Sequence, residues 1–224
     1  APFQFGQRTN SAEFWTRTAP NTKMPGLYLT ERGYVNPTEA LRRENDLEQN
    51  IIASILYQEG VTPKFSGSAL STADGNIIVE GVGGFGDEYM LGERAPIALP
   101  ARVIDAVSSH HRSAQELLNT PIKTEWIYDG KTPWFVQLNR QNCEGGGDLA
   151  VIVRAPEGTK VDYIDFPPEK GLEYLRNTLV PEALRDGKGI RVVGNIGLGS
   201  HMGDVLRRAH VPSYVETLWL PEKK

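Results

Sequence analysis

Cysteine is almost absent: Cys143 is the only one in 224 residues. That excludes an internal disulfide framework and fits a reducing compartment, so a cytoplasmic protein is expected. Missing too is any apolar run near the roughly 18–20 residues of a membrane span. The start, Ala1-Pro2-Phe3-Gln4-Phe5, lacks the basic-then-apolar pattern of a signal peptide. There is no surplus of basic charge: 24 Lys and Arg face 28 Asp and Glu, a formal net charge of −4. This argues against a broad nucleic-acid surface, leaving only a local patch open. No G-x-x-x-x-G-K-[ST] loop, G-x-G-x-x-G opener, G-x-S-x-G elbow or cysteine-rich zinc pattern occurs. What is abundant is glycine, at 23 residues, about 10% against a background of roughly 7%. The length suits one large domain or two small ones with a real hydrophobic core.

The first 35 residues, rich in Thr, Asn, Pro and Gly, read as loops around short strands. A helix is expected from Asn36-Pro37-Thr38-Glu39 onward, with Thr38 as N-cap. Ile51–Tyr57 is β-branched enough to be a strand instead. Strands are predicted at Ser66–Thr72 and Asn76–Val82 around the Asp74-Gly75 turn. An amphipathic helix follows at Ala101–Leu118, with Val103, Ile104, Val107, Ala114, Leu117 and Leu118 near one face. Two more strands, Ile122–Tyr128 and Trp134–Leu138, flank Asp129-Gly130. Beyond Glu144–Gly147, a linker candidate, the pattern predicts a strand at Leu149–Arg154 and a helix at Pro168–Leu179. A strand at Ile190–Val193, a helix at His201–Ala209 and a strand near Ser213–Leu220 complete the chain. The fold class is mixed α/β.

Several residues have chemistry to offer, each beside a plainer reading. His201 follows Gly194–Ser200 directly and opens a helix. There it can accept a phosphoryl group while loop amides hold its oxygens. The plainer reading makes Ser200 the helix cap and His201 a surface residue of the first turn. Glu125 and Gln137 flank a tight hairpin. If they share a face, they supply two oxygen ligands suited to Mg²⁺ carrying substrate phosphates; otherwise they are a solvated polar pair. Arg17 is a phosphate clamp or a solvated loop arginine. His110-His111 has no nearby Cys or Asp at ligand spacing and reads as a surface pair.

Taken in order, these segments resemble the phosphoenolpyruvate-utilising ATP-grasp enzymes, the group of phosphoenolpyruvate synthase and pyruvate phosphate dikinase. Arg17-Thr18-Ala19 with Met24–Thr30 is similar to the family's V-R-S-G-A…M-P-G-x-x-x-T. Ile55–Val61 with Ser66–Ser71 resembles V-Q-x-M-V and S-G-V-A-F-T. Glu80, Gly84-Phe85-Gly86-Asp87, Gly92 and Pro96 resemble G-L-G-E-x-V-V-x-G-x-x-x-P. Thr124–Ile127 with Asp129-Gly130 resembles I-E-W-A-x-D-G, and Gln137 stands at the glutamine of L-Q-x-R. Ser200-His201, Val205, Arg207 and Val211-Pro212 resemble [ST]-[SC]-H-A-A-I-V-A-R-E-x-G-I-P.

The resemblance implies an ATP-grasp-like nucleotide lobe over residues 1–143 and a reduced, swivelling phosphohistidine-like domain over 148–224, with a hinge at 144–147. It implies an ATP- and Mg²⁺-dependent phosphotransferase. His201 would carry the phosphoryl group, which Arg17 would steady. Glu125 and Gln137 would hold Mg²⁺, Gln58 would lie beside the adenine, and Glu80 and Asp87 would belong to the nucleotide site. The acceptor would be a small molecule or a protein, and a partner chain would supply the family's N-terminal lysine-bearing lobe, which this chain lacks. Lys123 stands where the family has an active-site aspartate, and Asn139 where it has an arginine. Positive charge at Lys123 opposes Mg²⁺ unless nucleotide phosphates satisfy it. These departures keep a second reading open: a catalytically degenerate module that retains the fold and binds a nucleotide or a protein.

Overall fold

The computed structural model describes residues 14–20, 30–34, 52–72, 74–140 and 151–216. The helix expected from residue 36, the hinge at 144–147 and the end of the last strand lie outside them. The chain divides into two compact units, Ala1–Val61 and Thr62–Lys224, so the second unit carries residues on both sides of the expected hinge.

In the first unit, β1 (Phe14–Pro20) lies between β2 (Thr30–Tyr34) and β3 (Ile52–Glu59) in an antiparallel sheet. From Ile52 on, the open choice in the run 51–57 is thus settled as strand, in keeping with the β-branched residues there.

The second unit holds two four-stranded sheets. In the first, β4 (Phe65–Ser71), β5 (Ile77–Gly83), β6 (Ile122–Tyr128) and β7 (Pro133–Arg140) run antiparallel in the order β5-β4-β6-β7. Both hairpin turns form at the Asp-Gly pairs. Gly75 takes φ +83°, and the Asp74 carboxylate accepts from the Thr72 hydroxyl and from Asn76 Nδ2. At the other turn, Asp129 Oδ1 accepts from the amides of Lys131 and Thr132 at 2.7 and 2.8 Å, and Gly130 takes φ +109°. Helix α1 (Asp87–Leu91) follows β5. Helix α2 (Ala101–Leu118) spans the predicted residues and covers one face of this sheet, packing Val103 and Val107 against Ala69, Trp126 and Tyr128.

The buried stripe on α2 is narrower than predicted. It runs Val103, Val107, His111, one residue per turn, while Leu117 is 86% exposed. Asn119 stops the helix in the left-handed region at φ 47°.

The second sheet has the order β8-β11-β10-β9, from β8 (Val151–Val153), β9 (Tyr163–Phe166), β10 (Gly189–Val192) and β11 (Ser213–Val215). Strands β9, β10 and β11 are parallel, and β8 is antiparallel to β11. Parallel neighbours need crossovers, which here are helical. The first crossover comprises a 3₁₀ turn (Pro168–Lys170), α3 (Gly171–Tyr174), a wider π-type turn (Leu175–Leu179) and α4 (Val180–Asp186). It runs seven residues past the predicted end. Pro181 has no N–H to give to an i−4 carbonyl, and the wider turn sits just before it. The second crossover is α5 (His201–Ala209), on the predicted residues. Phe166, Leu175, Leu179, Ile190, Val192 and Leu206 form the core of this half, and Ile78 of β5 packs against it from the first sheet. Among the described residues no helix is long and apolar enough to cross a membrane.

Candidate functional site

Antiparallel pairing aligns residues across all four strands of the first sheet. Glu80 pairs with Ser68, Ser68 with Glu125, and Glu125 with Gln137. Directly opposed residues share a face, so Glu80, Ser68, Glu125 and Gln137 form one polar row. A second row on that face reads Ile78, Leu70, Lys123, Asn139. Just beyond Glu125 the register slips at a bulge, where Val136 has no partner on β6. The register thus puts Glu125 and Gln137 on one face, the condition on which their reading as a pair of oxygen ligands depended.

Onto this face come the loop before α5 and the start of that helix. Ser200 is the N-cap, with its hydroxyl toward the Gly203 amide at 3.5 Å. The Gly199 amide donates to Glu80 Oε2 at 3.1 Å, and Tyr89 OH, from α1, donates to the same oxygen at 3.2 Å. Ser68 Oγ shares a 2.7 Å hydrogen bond with that tyrosine hydroxyl. The fit is close enough to demand glycine: a Cβ on Gly199 would lie 1.8 Å from Ser68 Oγ, and one on Gly197 would lie 2.3 Å from the Tyr89 ring.

Lys123 is the most enclosed charge of the group, at 1% exposure, and its ammonium is paired with Asp204 of α5. The lysine thus does not stand as an open positive charge facing a metal; a carboxylate supplied by α5 answers it. Asp204 Oδ1 also accepts from Arg207 Nη2 at 3.0 Å, and Arg207 Nη2 donates to the Leu198 carbonyl at 2.7 Å. His201, 41% exposed, turns Nδ1 toward Asp204 Oδ2 at 3.8 Å. That is an ion-pair distance rather than a hydrogen bond.

Charge states follow from these neighbours. Burial by itself would raise the Asp204 carboxyl; His201, Lys123 and Arg207 more than offset it and hold it well below the usual range. Burial lowers Lys123, with Asp204 opposing that shift. Burial raises Glu80 against the pull of the Gly199 and Leu198 amides and Tyr89. Tyr89 is pushed well up, first by burial and then by the Glu80 charge. One oxygen of the row stays unanswered: Glu125 Oε1 is buried with no hydrogen-bond partner among the described residues. No group of three or more His, Cys, Asp or Glu that could hold a metal occurs among the described residues.

Of the residues singled out in the sequence, Glu80, Glu125, Gln137 and His201 come to this face or to the helix docked on it. Asp87 is exposed and heads α1, whose Tyr89 reaches the face. Arg17 and Gln58 lie in the other unit: Arg17 pairs with Leu56 and Thr30, and Gln58 with Trp15. Sequence reasoning missed Ser68, Tyr89 and Asp204. Asp204 had a signal, three residues past His201 on the same helix. The reading of His111 as a surface residue is corrected: it is fully buried under the opposite face, between the hydroxyls of Ser71 and Thr124 at 2.9 Å each. His110 is exposed, as expected. Compared with known protein families and with curated proteins, the chain matches none.

Proposed function

We propose that this chain is an ATP- and Mg²⁺-dependent phosphotransferase that passes a phosphoryl group through His201 to a small-molecule or protein acceptor. The observation that carries the reading is the Glu125 oxygen, buried without a partner in the row Glu80–Ser68–Glu125–Gln137. A carboxylate oxygen taken out of water needs a proton, a donor or a cation. Glu125 and the amide oxygen of Gln137, opposite in register, suit a Mg²⁺ that draws its remaining ligands from phosphate and water. Bound there, the ion would neutralise charge on the phosphates of the nucleotide.

The histidine does the covalent work. With Nδ1 facing Asp204, Nε2 is the nitrogen left to attack. Its lone pair forms the N–P bond as the P–O bond to the nucleotide breaks, and the nucleotide leaves with that electron pair. The ring then carries positive charge, and Asp204 stabilises it and keeps the remaining N–H oriented. Transfer onward breaks N–P as the acceptor's nucleophile bonds to phosphorus, and the partial exposure of His201 gives that acceptor access. A partner chain bearing the lysine-bearing lobe that the resemblance calls for would complete the nucleotide site.

A second reading, a non-catalytic nucleotide- or protein-binding module, is favoured by the Lys123–Asp204 pair and by the seating of Gly199 on Ser68, which fill part of the polar face. Incubation with Mg²⁺ and ATP labelled at the β or γ phosphate separates the two. Acid-labile, base-stable label that vanishes in His201→Ala is expected. Nucleotide binding without label would leave the binding module.

A further inference from the structure

We propose that Glu80 is a positioning residue for His201: its carboxylate fixes the loop before α5, so that the sheet holds the carrier histidine from both sides. The inference rests on the phosphotransfer reading for what His201 does. It assigns Glu80 to the carrier rather than to the nucleotide site, where the resemblance would put it.

Two ties join α5 and its loop to the first sheet, and His201 lies between them. Two residues before it, the Gly199 amide donates to Glu80 Oε2 at 3.1 Å. Three residues after it, Asp204 pairs with Lys123 of β6. Glu80 and Lys123 stand in neighbouring rows of the same face. The bonds of Arg207 differ in kind, because that residue lies on α5 itself. It reaches the Leu198 carbonyl at 2.7 Å and Asp204 Oδ1 at 3.0 Å, which stiffens loop and helix as one piece. Its charge also attracts Glu80, drawing that piece toward the same carboxylate.

Glu80 is itself braced. Its Oε2 accepts from Tyr89 OH of α1 at 3.2 Å, and that hydroxyl shares a 2.7 Å hydrogen bond with Ser68 Oγ of β4. The carboxylate is thus engaged by donors of its own chain: that hydroxyl and the amides of Gly199 and Leu198. What it supplies in return is an acceptor inside a closed loop, since residues 196–200 are all buried. A buried amide left without an acceptor costs free energy, and a charged acceptor binds it more strongly than a neutral one. Placement matters to the reaction, because a shift of about 1 Å from the reacting geometry costs about 10²-fold in rate.

The test compares Glu80→Gln, which keeps an acceptor oxygen without the charge, with Glu80→Leu, which keeps neither. Hydrogen exchange of the full chain, followed by NMR, reads the amides of residues 199–201, with those of α2 as the internal control. Exchange at 199–201 is expected to quicken about three-fold in Glu80→Gln and about ten-fold in Glu80→Leu, with α2 unchanged. Calorimetry is expected to find the wild-type affinity for ATP with Mg²⁺ in both. Single-turnover labelling of His201 at saturating ATP is expected to slow about ten-fold in Glu80→Leu and less in Glu80→Gln. An ATP affinity that falls in Glu80→Gln would return Glu80 to the nucleotide and overturn the proposal. Unchanged exchange at 199–201, or unchanged labelling in Glu80→Leu, would overturn it as well. Glu80→Gln keeps the shape of the side chain, so its affinity and exchange decide the matter even if Glu80→Leu does not fold. Labelling of wild-type His201, with exchange at 199–201 alike in all three proteins, would overturn this inference and leave the phosphotransfer reading standing. No labelling of the wild type, with exchange quickened in both variants, would overturn that reading and leave Glu80 as the anchor of the loop.

Discussion

At His111, protonation and folding oppose one another. The Ser71 hydroxyl donates to Gln115 Oε1 at 2.6 Å, so it accepts from His111 Nε2, and Nδ1 accepts from Thr124. That neutral tautomer is enclosed, and burial pulls the pKa from 6.5 to about 4. The unfolded chain therefore binds a proton that the folded chain refuses between those values. Stability is complete above about pH 6.5 and falls as pH drops toward 4, by about 2–3 kcal/mol. Urea unfolding at stepped pH is expected to show this slope, and His111→Gln to flatten it. Asp204, whose carboxyl is depressed, acts in a lower window, losing its contribution only below the ordinary carboxylate range. The burial of His111 was not legible because hydropathy alone cannot tell a histidine paired with two hydroxyls from a solvated one. Lys123 is a parallel case: as a sequence position it opposed a metal, whereas in the fold it has a partner eighty-one residues away. Lys123→Met leaves Asp204 short of a cation and is expected to cost about 3 kcal/mol. Lys123→Asp would set two carboxylates together and cost more, while Lys123→Asp with Asp204→Lys restores that pair but leaves Arg207 without its carboxylate, recovering only part of the stability. Denaturant midpoints of the four proteins check the ordering.

At the scale of elements, strands and helices with strong local signals were readable. Both Asp-Gly turns and α2 and α5 stand where periodicity and turn chemistry put them. The register set by the Asp129-Gly130 turn alone would put Val136 opposite Glu125, and only the bulge brings Gln137 there. The Asp74-Gly75 turn does put Glu80 opposite Ser68, and that alignment was within reach of the sequence. Two further features were not. Strand β9 has four residues and runs straight into Pro167, too few for a periodic signal. The contact of α5 with the sheet joins elements far apart in the chain, which local pattern does not encode. That contact turns on Gly199. Gly199→Ala would drive a methyl group into Ser68 and is expected to destabilise by about 1–3 kcal/mol and to speed hydrogen exchange across α5. A Cβ placed on Gly83 would meet nothing within 4 Å, so Gly83→Ala is the matched control, expected to unfold at nearly the wild-type midpoint.

For the whole molecule, the proposed phosphotransfer rests on a polar face built by one sheet and a histidine-bearing helix docked on it. Ligand binding to the folded state alone raises its stability, by about 2.7 kcal/mol at a hundred times Kd. In a chain of this length each kcal/mol moves Tm by about 2–4 °C. ATP with Mg²⁺ is therefore expected to raise Tm, and Glu125→Gln to remove the part of the shift that depends on Mg²⁺. The resemblance to dikinase-like enzymes supplied the expectation of His201 as carrier; the geometry adds which nitrogen is free. The most direct measurement is to incubate the chain with ATP and Mg²⁺, locate the phosphoryl group by mass spectrometry at neutral pH, and assign its nitrogen by ³¹P NMR. The account predicts one phosphoryl group, on Nε2 of His201. A phosphoryl group on another residue, or none while ATP and Mg²⁺ raise Tm, would contradict it.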